Sequence, residues 1–263
     1  MSLLRLYLGR SWFEVKVMMR DRSAVVFSML LPVFLLVIFG SVFGHQTIAH
    51  TGVRISQYLV AGLLASGLLY SSFQLLAIAI PEERATGALK RLRGAPLPRS
   101  AYFVGKFATS VVVYAAQSAL LLSIGHYTFD ITLPTRAGWF TFAWVSVLGL
   151  VASSLLGIAL SAAARDGKSA SAIAAPMVIF FQFTSGVYFV YTSLPQWMQR
   201  LAAFFPLKWM AQAMRSVFLP AAFGHFEAAG SFELSRAALV LVVWIAIGVV
   251  LARFAFRWTD EGE

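Results

Sequence analysis

The chain has 263 residues, of which 59% are apolar and 12% charged, and its mean hydropathy is +0.77. This composition leaves too little polar surface to coat a soluble globule, so we predict an all-α integral membrane protein. The net charge of +10 comes from Lys and Arg residues scattered between long apolar runs, which argues against nucleic acid as a partner, and the lack of cysteine excludes disulfides and thiolate metal sites.

Residues 1–22 predict an amphipathic helix that lies at the membrane surface. Apolar residues from Leu4 to Met19 recur at three- and four-residue spacing, and basic residues occupy the other side. Such a helix buries its apolar face in lipid and keeps its basic face at the headgroups. Arg5, Trp12 and Arg20 are the candidate residues for this interfacial role. The alternative is an ordinary basic flank of the first span.

Six apolar segments follow, each long enough to cross the roughly 30 Å hydrocarbon core, which requires about 20 residues. Five of them contain no Asp, Glu, Lys or Arg, and the last contains only Arg253, near its end. The predicted spans are residues 23–43, 57–80, 107–129, 139–164, 169–191 and 237–256.

The basic residues predict the orientation of these spans. With both termini in the cytoplasm, 15 of the 21 Lys and Arg residues fall on the cytoplasmic side, as the positive-inside rule requires. Arg also outnumbers Lys by 16 to 5, which is typical of GC-rich bacterial genomes. We therefore expect a multi-pass protein of the bacterial cytoplasmic (inner) membrane.

A seventh span could be drawn through residues 201–223 of the segment 193–223, but that stretch carries Lys208 and Arg215 and is broken by Pro206 and Pro220. A seventh span would also place the C-terminus outside. We predict instead an external re-entrant element, whose non-spanning backbone must be buried against protein. The alternative is a loose external loop with an apolar patch.

The residues inside the spans exclude several mechanisms. Coupled transporters usually hold Asp, Glu, Lys or Arg at membrane depth, and these spans lack them, which disfavours ion coupling. His45 and His50 share a short external loop, but no third metal ligand is evident, so we predict no metal site. There is no Gly-x-x-x-x-Gly-Lys-Ser/Thr phosphate loop, so we expect neither catalysis nor a cofactor on this chain.

The loop between the second and third spans, residues 81–100, carries the densest pattern. Pro81 and the acids Glu82 and Glu83 suit the first turn of a helix, and the basic residues near Arg93 suit its last. Gly94, followed by two prolines, then ends it. We predict one short dipolar helix from Glu82 to Arg93 on the cytoplasmic face.

This loop resembles that of the type 2 ABC exporter permeases, which has an acidic segment, a small Gly-Thr pair, a basic helix and a Thr/Ala-Pro turn. A second similarity is the Phe205-Pro206-Leu207 step followed by a small-residue helix that reaches Arg215. Here the small pair is reversed, as Thr86-Gly87. The matching residues of the loop are Glu82, Glu83, Arg84, Thr86, Gly87, Leu89, Arg91, Leu92, Ala95, Pro96 and Leu97.

The resemblance implies a single transmembrane domain over residues 1–263 that exports cargo with the help of other subunits. In that family two permeases pair as a homodimer or heterodimer, and a separate ATPase subunit beneath each binds ATP and magnesium. The residues that would couple this chain to the ATPase are Glu82, Glu83, Arg84, Thr86, Gly87, Lys90, Arg91 and Arg93.

The predicted cargo is an amphipathic or lipid-like compound, such as a drug, lipid or glycolipid, because the spans are uncharged and rich in aromatic residues. Tyr70, Gln74, Phe181 and Gln182 are the candidate pathway residues. Three alternatives remain: a polysaccharide or glycoconjugate exporter permease, an ATP-independent carrier or channel, and a membrane scaffold that transports nothing.

Overall fold

The computed structural model describes residues 3–20, 22–48, 51–94 and 98–255, with side chains except at 4, 22–29, 93, 99 and 255. Within these ranges the all-α prediction is confirmed, since the regular elements are helices joined by turns. The α-helices are α1 (Leu3–Arg20), α2 (Arg22–Phe43), α3 (Ile55–Leu68), α4 (Leu75–Ala85), α5 (Ala88–Arg93), α6 (Arg99–Phe129), α7 (Arg136–Leu160), α8 (Gly167–Thr184), α9 (Gln196–Phe204), α10 (Pro206–Phe218) and α11 (Leu234–Ala255).

Four helical stretches are long and apolar enough to cross a membrane: Ile55–Ala85, Ser100–Phe129, Arg136–Ala163 and Leu234–Phe254. The first joins α3 and α4 through a π-helical turn, Leu69–Gln74. The other two predicted spans correspond to α2 and to α8, which ends at Thr184 rather than at residue 191. The structure therefore has the helices of a multi-pass membrane protein, while the six-span arrangement stays a prediction.

The α4–α5 and α7–α8 connections, which carry charged residues or are flanked by them, lie at one end of the helix bundle, and we call it the charged end. Arg84, at the end of α4, donates to the carbonyl oxygens of Ser161 and Ala164 beyond α7, at 3.4 and 3.3 Å. Ala252, in the last turn of α11, packs against the apolar cluster that contains Leu89 of α5. The α4–α5 and α7–α8 connections and the end of α11 thus lie together.

The remaining connections meet at the opposite end of the bundle. Gln57 at the start of α3 donates through Nε2 to Thr132 Oγ1 at 2.8 Å and to the carbonyl oxygen of Phe218. The hydroxyl of Ser56 reaches the carbonyl oxygen of Gly44 beyond α2 at 3.2 Å. Successive connections of the long helices therefore alternate between the two ends.

The predicted single helix from Glu82 to Arg93 is wrong. Pro81, Glu82 and Glu83 lie in the last turns of α4, and a separate helix of six residues, α5, follows. Gly87 separates the two helices because its φ of +70° is a left-handed conformation that ends a helix. The acids do not cap a helix of their own; they are bound by groups of other helices.

Small residues of α7 let its neighbours approach closely. A Cβ on Gly157 would lie 2.5 Å from the carbonyl oxygen of Phe73 in the π-helical turn, and a Cβ on Gly149 would lie 2.7 Å from side-chain atoms of Leu68 and Met210. Gly149 and Gly157 therefore serve internal packing, against Leu68 of α3, Met210 of α10 and the π-helical turn.

Residues 193–223 form two short helices, α9 and α10, neither long enough to span a bilayer. The turn between them lies against the middle of α11, where Trp244 Nε1 donates to the carbonyl oxygen of Phe204 at 2.8 Å. Trp209 Nε1 likewise reaches the carbonyl oxygen of Ala203 at 2.8 Å. Two indoles thus bind carbonyls that the end of α9 leaves without helical partners.

Candidate functional site

The charged end contains a buried group of ionised side chains contributed by α1, α4 and α6. Lys106 of α6 is almost fully buried and forms ion pairs with Glu14 of α1, at 2.7 Å, and with Glu83 of α4. Arg10 pairs with Glu14 one turn away along α1. Two cations thus face two carboxylates, so the group is close to neutral and suits a site of low dielectric constant.

Tyr102 completes the contacts of Glu83. Its hydroxyl donates to Glu83 Oε2 at 2.7 Å, one turn along α6 from Lys106. The Arg10 guanidinium and the Lys106 ammonium both lie over its ring, 5.7 and 5.4 Å from the centroid. We call Arg10, Glu14, Glu83, Tyr102 and Lys106 the charged cluster; it joins α1 to α4 and α6.

The two neighbours of Glu83 bind other helices. Glu82 Oε2 accepts the backbone N–H of Gly167, the first residue of α8, at 3.1 Å. Arg84 is buried and donates to carbonyl oxygens just beyond α7. Three consecutive side chains at the end of α4 therefore connect it to α8, to the α1–α6 pair and to α7.

A second carboxylate stabilises the start of α8. Asp166 accepts the backbone N–H of Ser169 at 2.7 Å, and the Ser169 hydroxyl accepts the backbone N–H of Asp166 at 3.1 Å, which makes a capping box. The Ser169 N–H and hydroxyl hold the pKa of the Asp166 carboxyl below its ordinary value. Glu82 and Asp166 thus both lie where a helix dipole favours negative charge.

The predicted coupling residues separate into a buried part and an exposed part. The side chains of Glu83 and Arg84 bind groups of other helices. In contrast, Thr86, Lys90 and Arg91 are exposed on or next to α5. The side chain of Arg93 lies outside the described residues, as do Ala95, Pro96, Leu97 and His50. The exposed part presents basic groups on a short helix whose apolar side, through Leu89, is buried.

Helix α1 contacts the bundle through its polar side. Tyr7 hydrogen-bonds Ser100 at 2.6 Å, and Glu14 lies against the charged cluster. Arg5 and Arg20 are exposed, and Trp12 is 67% exposed. The three predicted interfacial residues are therefore placed away from the bundle, where lipid or a partner can contact them.

Two of the four predicted pathway residues meet. Gln182, which is buried, accepts a hydrogen bond from the Tyr188 hydroxyl at 2.6 Å and lies near Tyr70. Gln74 lies one turn along from Tyr70, with its Oε1 buried and without a partner within the described residues. Phe181 instead lines a separate apolar cavity. The structure thus divides the predicted set between a polar cluster and a cavity.

A second buried ion pair lies at the opposite end. Arg215 of α10, fully buried, donates to both carboxylate oxygens of Glu227, at 2.5 and 2.9 Å, and to the carbonyl oxygen of Gly186 at 3.3 Å. Its guanidinium lies 5.2 Å from the ring centroid of Tyr58. This pair ties α10 to the segments on either side of it and to α3.

Sequence reasoning missed Glu14, Lys106 and Glu227. Glu14 is the one acid among residues 1–20, and Lys106 directly precedes the third predicted span. Neither belongs to a recognisable motif, although a lone acid in a basic helix is a signal of a specific partner. Nothing in the sequence near Glu227 distinguishes it from a surface residue.

The described residues form an all-helical fold with four candidate membrane spans and a short basic helix after α4. The chain belongs to the ABC-2 type transporter family, whose profile matches residues 9–219.

Two named proteins are similar to part of the chain. The chain is 23% identical over 164 residues to a probable multidrug ABC transporter permease, YbhR, of Escherichia coli strain K12, and equally to its counterpart in Escherichia coli O157:H7. The match covers 62% of this chain and 44% of the relative, so the chain spans less than half the length of the proteins it matches.

Proposed function

We propose that this chain is the permease subunit of an ATP-driven exporter of the bacterial inner membrane. It works as a homodimer or paralogous heterodimer with a second permease, and ABC ATPase subunits bind ATP and magnesium beneath them. The six predicted spans and the cytoplasmic location of both termini belong to this proposal. Membership of the ABC-2 type family and the similarity to a probable multidrug ABC transporter permease support it.

The observation that carries the proposal is the connection of α5 to the bundle. The exposed residues Lys90 and Arg91 lie on α5, just beyond the Gly87 turn that follows α4. At the end of α4, the side chains of residues 82–84 contact α8, the α1–α6 pair and the end of α7. A force on α5 from an ATPase would therefore act on several membrane helices together. In this scheme Lys90, Arg91 and Arg93 contact the partner, and residues 82–84 transmit the movement.

The cargo that fits the described residues is an uncharged amphipathic or lipid-like compound. The polar cluster of Tyr70, Gln182 and Tyr188 offers hydrogen bonds without charge, and Phe183 lies against Tyr188 with ring centroids 5.1 Å apart. Such a surface binds aromatic and weakly polar groups and does not compensate a charged one.

Charge reversal on α5 tests the proposal. In the complex purified with its accompanying ATPase, K90E/R91E is expected to lower ATPase co-purification and cargo-stimulated ATP hydrolysis at least tenfold. The physical reason is that both side chains are exposed, so the change alters a docking surface without unfolding the bundle.

The control is R136E/R200E, which reverses two exposed charges at the opposite end. This variant is expected to behave as the wild type. If no ATPase subunit accompanies the native chain, or if both double variants lose ATPase equally, the proposal is wrong.

A further inference from the structure

A cavity of about 350 Å³ lies between the helices near the charged end. Its walls come from the π-helical turn, α7, α8, α11 and the turn between α9 and α10, and it is open on one side. The lining includes Phe73, Leu156, Ala159, Phe181, Leu207 and Leu251. Its volume lies at the lower end of the roughly 300–1,000 Å³ typical of ligand pockets.

The lining is apolar throughout. Trp244 also contributes to the wall, and its indole N–H already donates to the carbonyl oxygen of Phe204. An apolar cavity of this kind does not hold ordered water, because water needs two to four polar partners. A hydrocarbon chain suits such walls, and Leu251, which contributes to them, is 44% exposed on α11.

Basic residues follow the lining residues along the chain at the charged end. Ala163, which lines the cavity, is followed two residues later by Arg165, and Leu251 is followed two residues later by Arg253. Lys168 lies in the first turn of α8, the helix that lines the cavity further along. All three basic residues are exposed. Two residues of the apolar lining, Ala163 and Leu251, are thus each followed within two residues by an exposed basic residue at the charged end, and we call Arg165, Lys168 and Arg253 the rim.

We propose that the cavity binds one acyl chain of an anionic phospholipid of the cytoplasmic leaflet, with the lipid phosphate at Arg165, Lys168 and Arg253. A phospholipid fits better than an exported cargo because the walls offer no hydrogen bond with which to select one, whereas the rim matches a negative headgroup. The lipid would fill the space between α8 and α11 and stabilise their arrangement. Phe181, one of the candidate pathway residues, is part of the wall, and the lipid proposed here is a resident one rather than the exported cargo.

Filling the cavity tests the proposal. The full chain, purified with any accompanying subunits, is exchanged into nanodiscs of equal parts phosphatidylglycerol and phosphatidylcholine, then released for native mass spectrometry. A159F is expected to lower retained phosphatidylglycerol at least tenfold, since each excluded methylene weakens binding roughly fourfold. V147F adds the same ring to an exposed position of α7 outside the cavity and is expected to retain the lipid.

The rim is tested separately with R165Q/K168Q/R253Q, which keeps the cavity. This variant is expected to retain both lipids equally, where the wild type retains mainly phosphatidylglycerol. The proposal is overturned if A159F and V147F retain the same amount of lipid, or if the wild type shows no preference for the anionic lipid. Neither result depends on ATP or on a partner, so failure here is distinguishable from failure of the proposed transport function.

Discussion

At the scale of residues, the charges at the end of α4 act first within the chain. Glu83, which the sequence suggests for a partner surface, contacts Lys106 and Tyr102 instead. Charges beside a membrane are costly to leave unpaired, so a carboxylate there is usually matched by its own protein. The exposed side chains of Thr86, Lys90 and Arg91 can be reached by a partner.

Replacing Lys106 is the direct test of the charged cluster. K106M removes the shared cation and, among the described residues, leaves Glu14 with Arg10 and Glu83 with the Tyr102 hydroxyl. Breaking a buried ion pair from one side typically costs about 3–5 kcal/mol, and we expect a loss of unfolding free energy in that range. Denaturant unfolding in detergent measures it.

The second substitution E83Q, added to K106M, is expected to recover part of the loss because it removes one of the unpaired charges. K16M, the same change at an exposed position of α1, is the control and is expected to be neutral. Equal stability of K106M and K16M would show that the buried pairs contribute nothing.

At the scale of elements, the break between α4 and α5 depends on one backbone conformation. Gly87 has φ of +70°, and a Cβ there would meet no other atom within 4 Å. Its role is therefore conformational and not steric. The predicted helix through this position fails because α4 ends with Thr86 as its C-cap, whose backbone N–H donates to the carbonyl oxygen of Glu82, and Gly87 then takes a left-handed conformation before α5.

The variant G87A is expected to lower the thermal unfolding temperature by about 2–4 °C, since an L-residue in this conformation costs roughly 1 kcal/mol. G94A is the matched control, because Gly94 has φ of −78° and tolerates a side chain. Differential scanning fluorimetry of the purified chain measures both. Equal shifts in the two variants would rule out a special conformational role for Gly87.

At the scale of the whole molecule, the arrangement of connections at two ends predicts which residues share a side of the membrane. The chain has no cysteine, so single cysteines can be labelled cleanly in intact cells. K90C and R165C are expected to resist a membrane-impermeant maleimide until the cells are opened. H45C and A229C are expected to react from outside. Labelling of K90C and R165C from different sides would contradict the six-span arrangement.

The sequence by itself determined that this protein lies in a membrane, that its fold is all-α and roughly where its long helices lie. These follow from local properties, because an apolar run of about 20 residues can satisfy its backbone in lipid only as a helix. The basic residues of α5 were also visible in the sequence, but the break at Thr86-Gly87 was not, and the prediction of one helix through it was wrong.

Tertiary structure alone decided which charges meet. Glu14, Glu83 and Lys106 are separated by long stretches of chain, and their pairing depends on how α1, α4 and α6 pack. The same holds for Arg215 with Glu227 and for the cavity beside Phe181. Ion pairs and cavities are properties of several helices at once, so no local pattern encodes them, and the acids of α4 could be understood only when their partners were in place.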